Sequence, residues 1–446
     1  MSAEGHAISQ AELNRVREAI KGIKDGPRLL QVYMEICAKC GTCAEQCHLS
    51  RTDPDTCSNP AFRSDRVRRP YHIDHSMIGK LCALAGMEKR DGLSEEALGE
   101  WLRDFYACTC CRRCAKFCPL GIDNSIITRK ARSVLLSVGL IPTKLAATQN
   151  ASEQYGNGEG ISPSTFIDMT QFLEGELLEE HGVPIRIPVD QKADVLFVPP
   201  SGEILSFPET LMGCATFFHV AGISWTMSSE AFDAANFGFF TGDDQYMKRK
   251  NKVLHDACLK LGVKKLVIGE CGHAYRVAKL VGGANFWGKI PYEVTSIFVI
   301  AADVLRRGGL KLDRDRNPEP VTYHDPCNFA RSTGLTEEPR ELLRACVREF
   351  REMTPNRDMN WCCGGGGGLA VLDGYEGVSK RTMSFHEFRM RRTGQMKLQQ
   401  IRATGASYTA APCANCKRQI SQLMEYHKEN VTVGGVFDLF DKAIVL

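Results

Sequence analysis

Trp361 to Gly368 reads WCCGGGGG. Adjacent cysteines cannot both point at one ordinary cubane without strain, and five successive glycines strip every side chain from the wall beside them. Something bulky is therefore expected against that backbone. Upstream, HDPCNFAR carries Cys327, and downstream, APCANC carries Cys413 and Cys416. Each of these loops follows a short segment with strand character. Five thiolates from three loops form a soft-ligand nest, and soft thiolates select iron–sulfur clusters, zinc or copper(I).

Two further cysteine runs lie in the first third of the chain. CAKCGTCAEQC places Cys37, Cys40, Cys43 and Cys47 in a C-x2-C-x2-C-x3-C pattern, and CTCCRRCAKFCP repeats it with Cys108, Cys111, Cys114, Cys118 and Pro119. This is the bacterial ferredoxin signature, in which the fourth cysteine of each run ligates the other cluster. Cys37, Cys40, Cys43 and Cys118 are thereby expected on one cubane, and Cys108, Cys111, Cys114 and Cys47 on the other. Zinc scaffolds do not use these spacings twice with a proline after the last ligand. The 60 residues between the runs include Ser94-Glu95-Glu96, a helix start, so an α-helical ferredoxin with an insert is expected over residues 1–148. Cys110, Cys57 and Cys82 fall out of register and read as small buried hydrophobes.

The 446 residues, 43% hydrophobic, are enough for two to four domains. A formal net charge of +3, with bases and acids interspersed, lacks the concentrated basic stripe of a nucleic-acid binder. Twenty cysteines with no basic-then-apolar signal pattern at the start point to a reducing compartment and metal ligation. The longest apolar run, near Ile297 to Val304, falls far short of the ~20 residues that a bilayer span needs. Ser9 and Glu12 form a capping box ahead of an amphipathic helix that stops at Gly26-Pro27, and helices are expected over 28–36 and 124–138.

Residues 149–190 turn polar and glycine-bearing and read as a linker with one short helix. Beyond them, KADVLFVPP, KKLVIGE, PVTYHDP and ASYTAAP are short strands alternating with helical stretches such as 246–261 and 338–350, an α/β pattern. A decayed internal repeat is visible. LGVKKLVIGECGHA parallels ATGASYTAAPCANC, Ser228 and Ser229 stand where Cys362 and Cys363 stand, Ser201 stands near the place of Cys327, and Ala274 replaces Cys416. Cys271 alone survives from the first set, too few for a cluster. Cys214, Cys258, Cys346 and His273 read as core residues. The expected class is thus α+β multidomain: the ferredoxin part, a linker, a degenerate α/β module over 191–318 and a second over 319–446.

The order Cys, Cys-Cys-Gly, Cys-x-x-Cys resembles the cysteine-rich CCG domain of the heterodisulfide reductase family, here fused to a part similar to that family's electron-delivering subunit. The 49 residues between Cys363 and Cys413 exceed the family's usual spacing, the excess falling in a basic, helical insert. The resemblance implies two cubane 4Fe-4S clusters and one noncubane 4Fe-4S cluster on Cys327, Cys362, Cys363, Cys413 and Cys416, with Gly364, Gly365 and Gly366 leaving room for a substrate sulfur. It implies a subunit that relays electrons between a membrane cytochrome b or quinone pool and a disulfide, which is split into thiols. SWTMSSEAFDAANFGFFTGD and VIGECGHAYR look most like cytoplasmic subunits of transmembrane redox complexes of sulfate-reducing microbes. The partners so implied are a cytochrome b-type membrane subunit, a periplasmic multihaem cytochrome and a thiol carrier protein or small thiol, with attachment to the inner face of the membrane through those partners. A pure relay subunit and the iron–sulfur component of a glycolate or lactate oxidase are the alternatives. The latter usually keeps cysteines in both modules.

A proton donor is needed, and His324 and His386 are the candidates. Arg63, Arg66, Arg68 and Arg69 read as a solvated face or a surface for lipid or a partner. Lys380, Arg381, Arg389, Arg391, Arg392, Lys397 and Arg402 read as a solvated helix face or a steering surface for an anionic thiol.

Overall fold

Helix starts in the first third are set by short polar side chains. The computed structural model describes residues 8–446 apart from 54, 56, 57, 78–80, 82, 83, 86–91 and 379–381; Cys57, Cys82, Lys380 and Arg381 lie outside the described residues. Ser9 accepts from the Glu12 N–H at 3.3 Å while the Glu12 carboxylate accepts from the Ser9 N–H at 2.9 Å, opening the helix Gln10–Lys21. Ser94 caps Glu95–Tyr106 and Asp123 caps Asn124–Leu136. These helices and Pro60–His75 bury Val16, Ile20, Val67, Trp101, Phe105, Ile127 and Ala131.

The chain divides into two compact units. The first comprises Met1–Ala147, Gly238–Asp243 and Gly364–Met396; the second comprises Thr148–Phe237, Asp244–Cys363 and Lys397–Leu446. The first continuous segment of the first unit ends at Ala147. Two segments from the second half of the chain nevertheless belong to the first unit, and Arg132 shows why. Its fully buried guanidinium donates to the carbonyls of Phe105, Cys108, Phe240 and Gly367 over 2.7–3.2 Å.

The second unit contains two four-stranded, wholly parallel sheets. The first is built from β1 (Val195–Val198), β2 (Trp225–Thr226), β3 (Lys265–Ile268) and β4 (Glu293–Ser296), in the order β2-β1-β3-β4. The second is built from β5 (Pro320–Tyr323), β6 (Glu349–Arg351), β7 (Tyr408–Ala410) and β8 (Thr432–Gly434), in the same order, β6-β5-β7-β8. Both are covered by helices, as parallel sheets require. One continuous core holds residues of both, among them Phe197, Val267, Phe298, Val321, Phe329 and Phe437. Helix Pro208–Val220 lies so close to Val436–Ala443 that a Cβ on Gly213 would sit 2.3 Å from the Phe437 carbonyl oxygen.

The expected linker is corrected. Residues 149–190 contain the end of Thr143–Tyr155 and the 19-residue helix Pro163–His181, capped by Ser162. Phe166, Thr170, Leu173 and Leu177 recur every three or four residues and are buried, the three hydrophobes among them in the same core as β1. Gly156, Gly158 and Gly160 lie in the turn before the helix, Gly175 is inside it and Gly182 ends it. The insert before Cys413 is helical in part, with Phe385–Phe388, a π-turn over Arg389–Thr393 and Gln395–Thr404.

Candidate metal centres

In the first unit each cysteine run bends in the same way. Lys39 and Gly41 flank Cys40 with φ of 57° and 81°, and Cys110 and Arg112 flank Cys111 with 51° and 64°. Left-handed backbone at matching places turns successive N–H groups toward one concavity, an arrangement suited to anionic groups. Two cavities result. One is lined by Cys37, Cys40, Cys43 and Cys118; the other by Cys47, Cys108, Cys111 and Cys114. Each cavity is lined by three cysteines of one run and the fourth cysteine of the other. Cys110 is also at the second cavity: its N–H donates to Cys108 Sγ at 3.4 Å, and its hydrogen bonding holds the Cys108 thiol well below its usual range. His48, which the sequence did not single out, lies 3.9 Å from Cys111 Sγ through Nδ1.

The solvated-face reading fails for two of the four arginines. Arg63 lines the second cavity and Arg68 donates to the Tyr33 carbonyl; they are 2% and 3% exposed. Arg66 is half-buried between Glu100 and Asp104, which leaves Arg69 as the exposed member. The helix that carries them places Arg63 and Arg68 on its inner side, a distinction that a bare run of charges does not display.

The second unit holds the CCG cysteines. Cys327 opens helix Cys327–Thr333 after β5. Cys413 precedes helix Ala414–Tyr426, with Cys416 in its first turn, and Cys362 and Cys363 end the loop after β6. All five are buried. Cys363 is in hydrogen-bond contact with Cys362, Cys416 and His324, and Cys413 with Cys416. Hydrogen bonds from neighbouring thiols hold Cys363 and Cys413 well below the usual thiol range, while the hydrogen bonds it gives to them push Cys416 well above it. A row of buried sulfurs carrying thiolate character is the donor set that an iron–sulfur centre takes.

Two further groups reach this row. His324 is 1% exposed, and its ring lies beside Cys363 and Cys416, in contact with the Cys363 sulfur. A buried imidazole set against a sulfur row fits a group held there. Burial, helped by nearby Lys397, keeps His324 below its usual value. Lys397 is itself fully buried, donating to Gln400 Oε1 at 2.6 Å and Met353 Sδ at 3.4 Å, and burial brings its ammonium down to about 8. His386, the other proton-donor candidate, belongs to the first unit.

Most of the basic insert is not a steering face. Arg389 is buried against the Leu372 carbonyl and Asp373, Arg392 faces Asp53 and the Thr52 carbonyl, and Arg402 pairs with Glu429, while Arg391 is exposed. The glycine run is likewise committed to packing. A Cβ on Gly364 would lie 2.7 Å from the Thr393 carbonyl, on Gly366 2.6 Å from the Thr109 carbonyl oxygen, and on Gly367 2.6 Å from that of Cys108. The bulky object against these glycines is backbone of the first unit.

Helical dicluster and cysteine-rich α/β parts with three thiol groupings define an iron–sulfur protein of the electron-transfer type. A 4Fe-4S dicluster domain matches residues 33–122, and the cysteine-rich domain CCG matches residues 321–421. The chain is 29% identical to Hdr-like menaquinol oxidoreductase iron-sulfur subunit 2 of Archaeoglobus fulgidus, over 96% of this chain and 83% of the relative. It is 28% identical to the corresponding protein of Archaeoglobus profundus, over 97% and 83%. It is also 24% identical to one of the polypeptides of the dihydromethanophenazine:CoB–CoM heterodisulfide reductase of Methanosarcina barkeri, over 93% of this chain and 94% of that relative. The chain thus carries both domains and is similar over nearly its whole length to heterodisulfide-reductase-like iron–sulfur subunits.

Proposed function

We propose that this chain carries electrons from a quinol-side membrane partner to a disulfide that is reduced at the CCG nest. The two cavities of the first unit each take one cubane, on Cys37, Cys40, Cys43 and Cys118 and on Cys108, Cys111, Cys114 and Cys47. The nest of Cys327, Cys362, Cys363, Cys413 and Cys416 takes a noncubane 4Fe-4S centre. When bound, that centre supplies one-electron transfer and an iron position open to sulfur. The identical strand orders support reading the second unit as two CCG modules, the first with its cysteines decayed.

The observation that carries the reading is the buried row Cys362–Cys363–Cys416–Cys413 with His324 and Lys397 beside it. Reducing a disulfide takes two electrons and two protons. His324 lies against Cys363 and provides a proton-holding nitrogen; Lys397, brought into range by burial, provides a second proton and a positive charge toward a departing thiolate. Neither needs the substrate to pass the glycine run, where Gly364, Gly366 and Gly367 face backbone and Gly368 faces the Leu145 and Phe240 side chains. Attachment to a membrane then depends on partner subunits, since no helix among the described residues is long and apolar enough to cross a bilayer. The cytochrome b subunit and thiol carrier belong to the same proposal, drawn from relatives named for menaquinol and for the CoB–CoM heterodisulfide.

The relatives named for menaquinol support a second reading, a relay without disulfide chemistry. Adding an oxidised thiol partner to the reduced protein, with paramagnetic resonance as readout, separates the two. Catalysis gives a substrate-dependent signal that is lost in Cys363→Ser. Electron passage with no thiol formed and no change at that centre leaves the relay.

A further inference from the structure

From the sequence, Cys271 is the isolated remnant of a decayed set. The structure gives it partners from the other set. Cys271 stands three residues past the end of β3, and Cys413 three residues past the end of β7, the corresponding strand of the other sheet. Each immediately precedes a helix. Each N–H donates to the carbonyl two residues back, Cys271 to Gly269 and Cys413 to Ala411, both at 2.7 Å. Two loops of the same form thus present one sulfur each, and the two sulfurs are in hydrogen-bond contact. Cys271, His273 and Cys413 are all buried, and their donor atoms lie within 4.8 Å of one another.

The far side of the His273 ring fixes its role. The Asn236 N–H donates to Nε2 at 3.4 Å, so Nε2 is the acceptor and the proton of a neutral ring resides on Nδ1. Nδ1 is 3.2 Å from Cys271 Sγ, which makes it an N–H donor to sulfur and leaves no lone pair there for a metal. An imidazole so arranged orients and stabilises a thiolate that something else ligates. Packing as a small hydrophobe is the competing account of a fully buried cysteine. It calls for aliphatic surroundings at the sulfur, whereas Cys271 Sγ meets a cysteine sulfur and an imidazole N–H.

We propose that Cys271 is a sixth thiolate of the CCG nest, an iron ligand on the Cys413 side, with His273 as its positioning residue. The inference rests on the reading that the nest holds an iron–sulfur centre. It makes the first module a contributor to that centre.

The test uses the full chain loaded with ⁵⁷Fe under anaerobic conditions, comparing parent and Cys271→Ala. Iron and sulfide per chain are measured together with Mössbauer and paramagnetic-resonance spectra, the two cubanes serving as the internal control for folding. The expected result is a third centre that loses its iron, about four of about twelve, or changes its Mössbauer doublets, while both cubanes persist. Unchanged iron and an unchanged third-centre spectrum overturn the proposal. A parent with about eight irons and no third signal overturns the cluster reading itself, a distinguishable failure that takes this inference with it. If Cys271→Ala does not accumulate folded, His273→Phe decides, because it keeps the sulfur and removes the N–H. The midpoint potential of the third centre must then shift while the cubane potentials stay; a third centre that does not move overturns the assignment.

Discussion

Replacing Arg132 by methionine keeps side-chain length and removes a group that touches three chain segments of the first unit at once. The five hydrogen bonds it gives, to four carbonyls at 2.7–3.2 Å, come from a side chain with no exposure and with its guanidinium 4.3 Å from the Tyr106 ring centroid. Charge-assisted bonds contribute ~1.5–3 kcal/mol each before the cost of burying the guanidinium is set against them. Removing one partner of a buried charged network costs about 3–5 kcal/mol in practice, a large part of a typical domain's margin of ~5–15 kcal/mol. Because the Cys108 carbonyl is one acceptor, loss is expected first at the cluster cavity that Cys108 lines. Anaerobic guanidinium unfolding of the loaded chain, followed by circular dichroism and by cluster absorbance, gives the number. Arg132→Lys has three N–H groups for five bonds and is expected to fall between the two. A change below about 1 kcal/mol in Arg132→Met would refute the claim that this residue holds the segments together.

Two glycine substitutions should move stability in opposite directions. Gly175, inside Pro163–His181 with open space at its Cβ, gains about 1 kcal/mol as alanine, whereas Gly367→Ala, at φ +64° and 2.6 Å from the Cys108 carbonyl oxygen, destabilises by more than that in the same melts. Glu203 sits with Lys417, 2.9 Å away, and Glu270, on the same buried ammonium. Burial raises its carboxyl from 4.5 to about 8, with the Lys417 charge opposing, so the folded chain binds the extra proton between those values and stability falls as pH rises from 4.5 through about 8. Glu203→Gln should flatten that slope in unfolding curves taken from pH 5 to 8, leaving the part due to Glu270, raised to about 7 the same way; an unaltered slope counts against it.

What was legible follows from how local each signal is. The two ferredoxin runs and the Cys-x-x-Cys at Cys413 are local patterns, readable from their spacing. The central strands β1, β3, β5 and β7 carry apolar runs that a sequence displays. Their outer neighbours β2, β4, β6 and β8 read WT, EVTS, EFR and TVG, mixing polar with apolar residues and carrying no such run. The helix over 163–181 was hidden by the glycines before it, although its apolar spacing was available. His324 was legible as a candidate from its place in HDPC, whereas the positions of Lys397 and Cys271 beside the CCG cysteines were not, because each depends on loops brought together from distant parts of the chain. Five glycines in a row signalled close approach correctly, and the sequence does not say that the approaching group is the backbone at Cys108 and Thr109.

Iron stoichiometry decides whether a third iron–sulfur centre sits on the CCG cysteines. Anaerobically prepared full chain should hold about twelve irons, falling to about eight when Cys362 and Cys363 are both changed to serine, with the two cubane signals intact. About eight irons in the parent, unchanged by that double substitution, would contradict that centre.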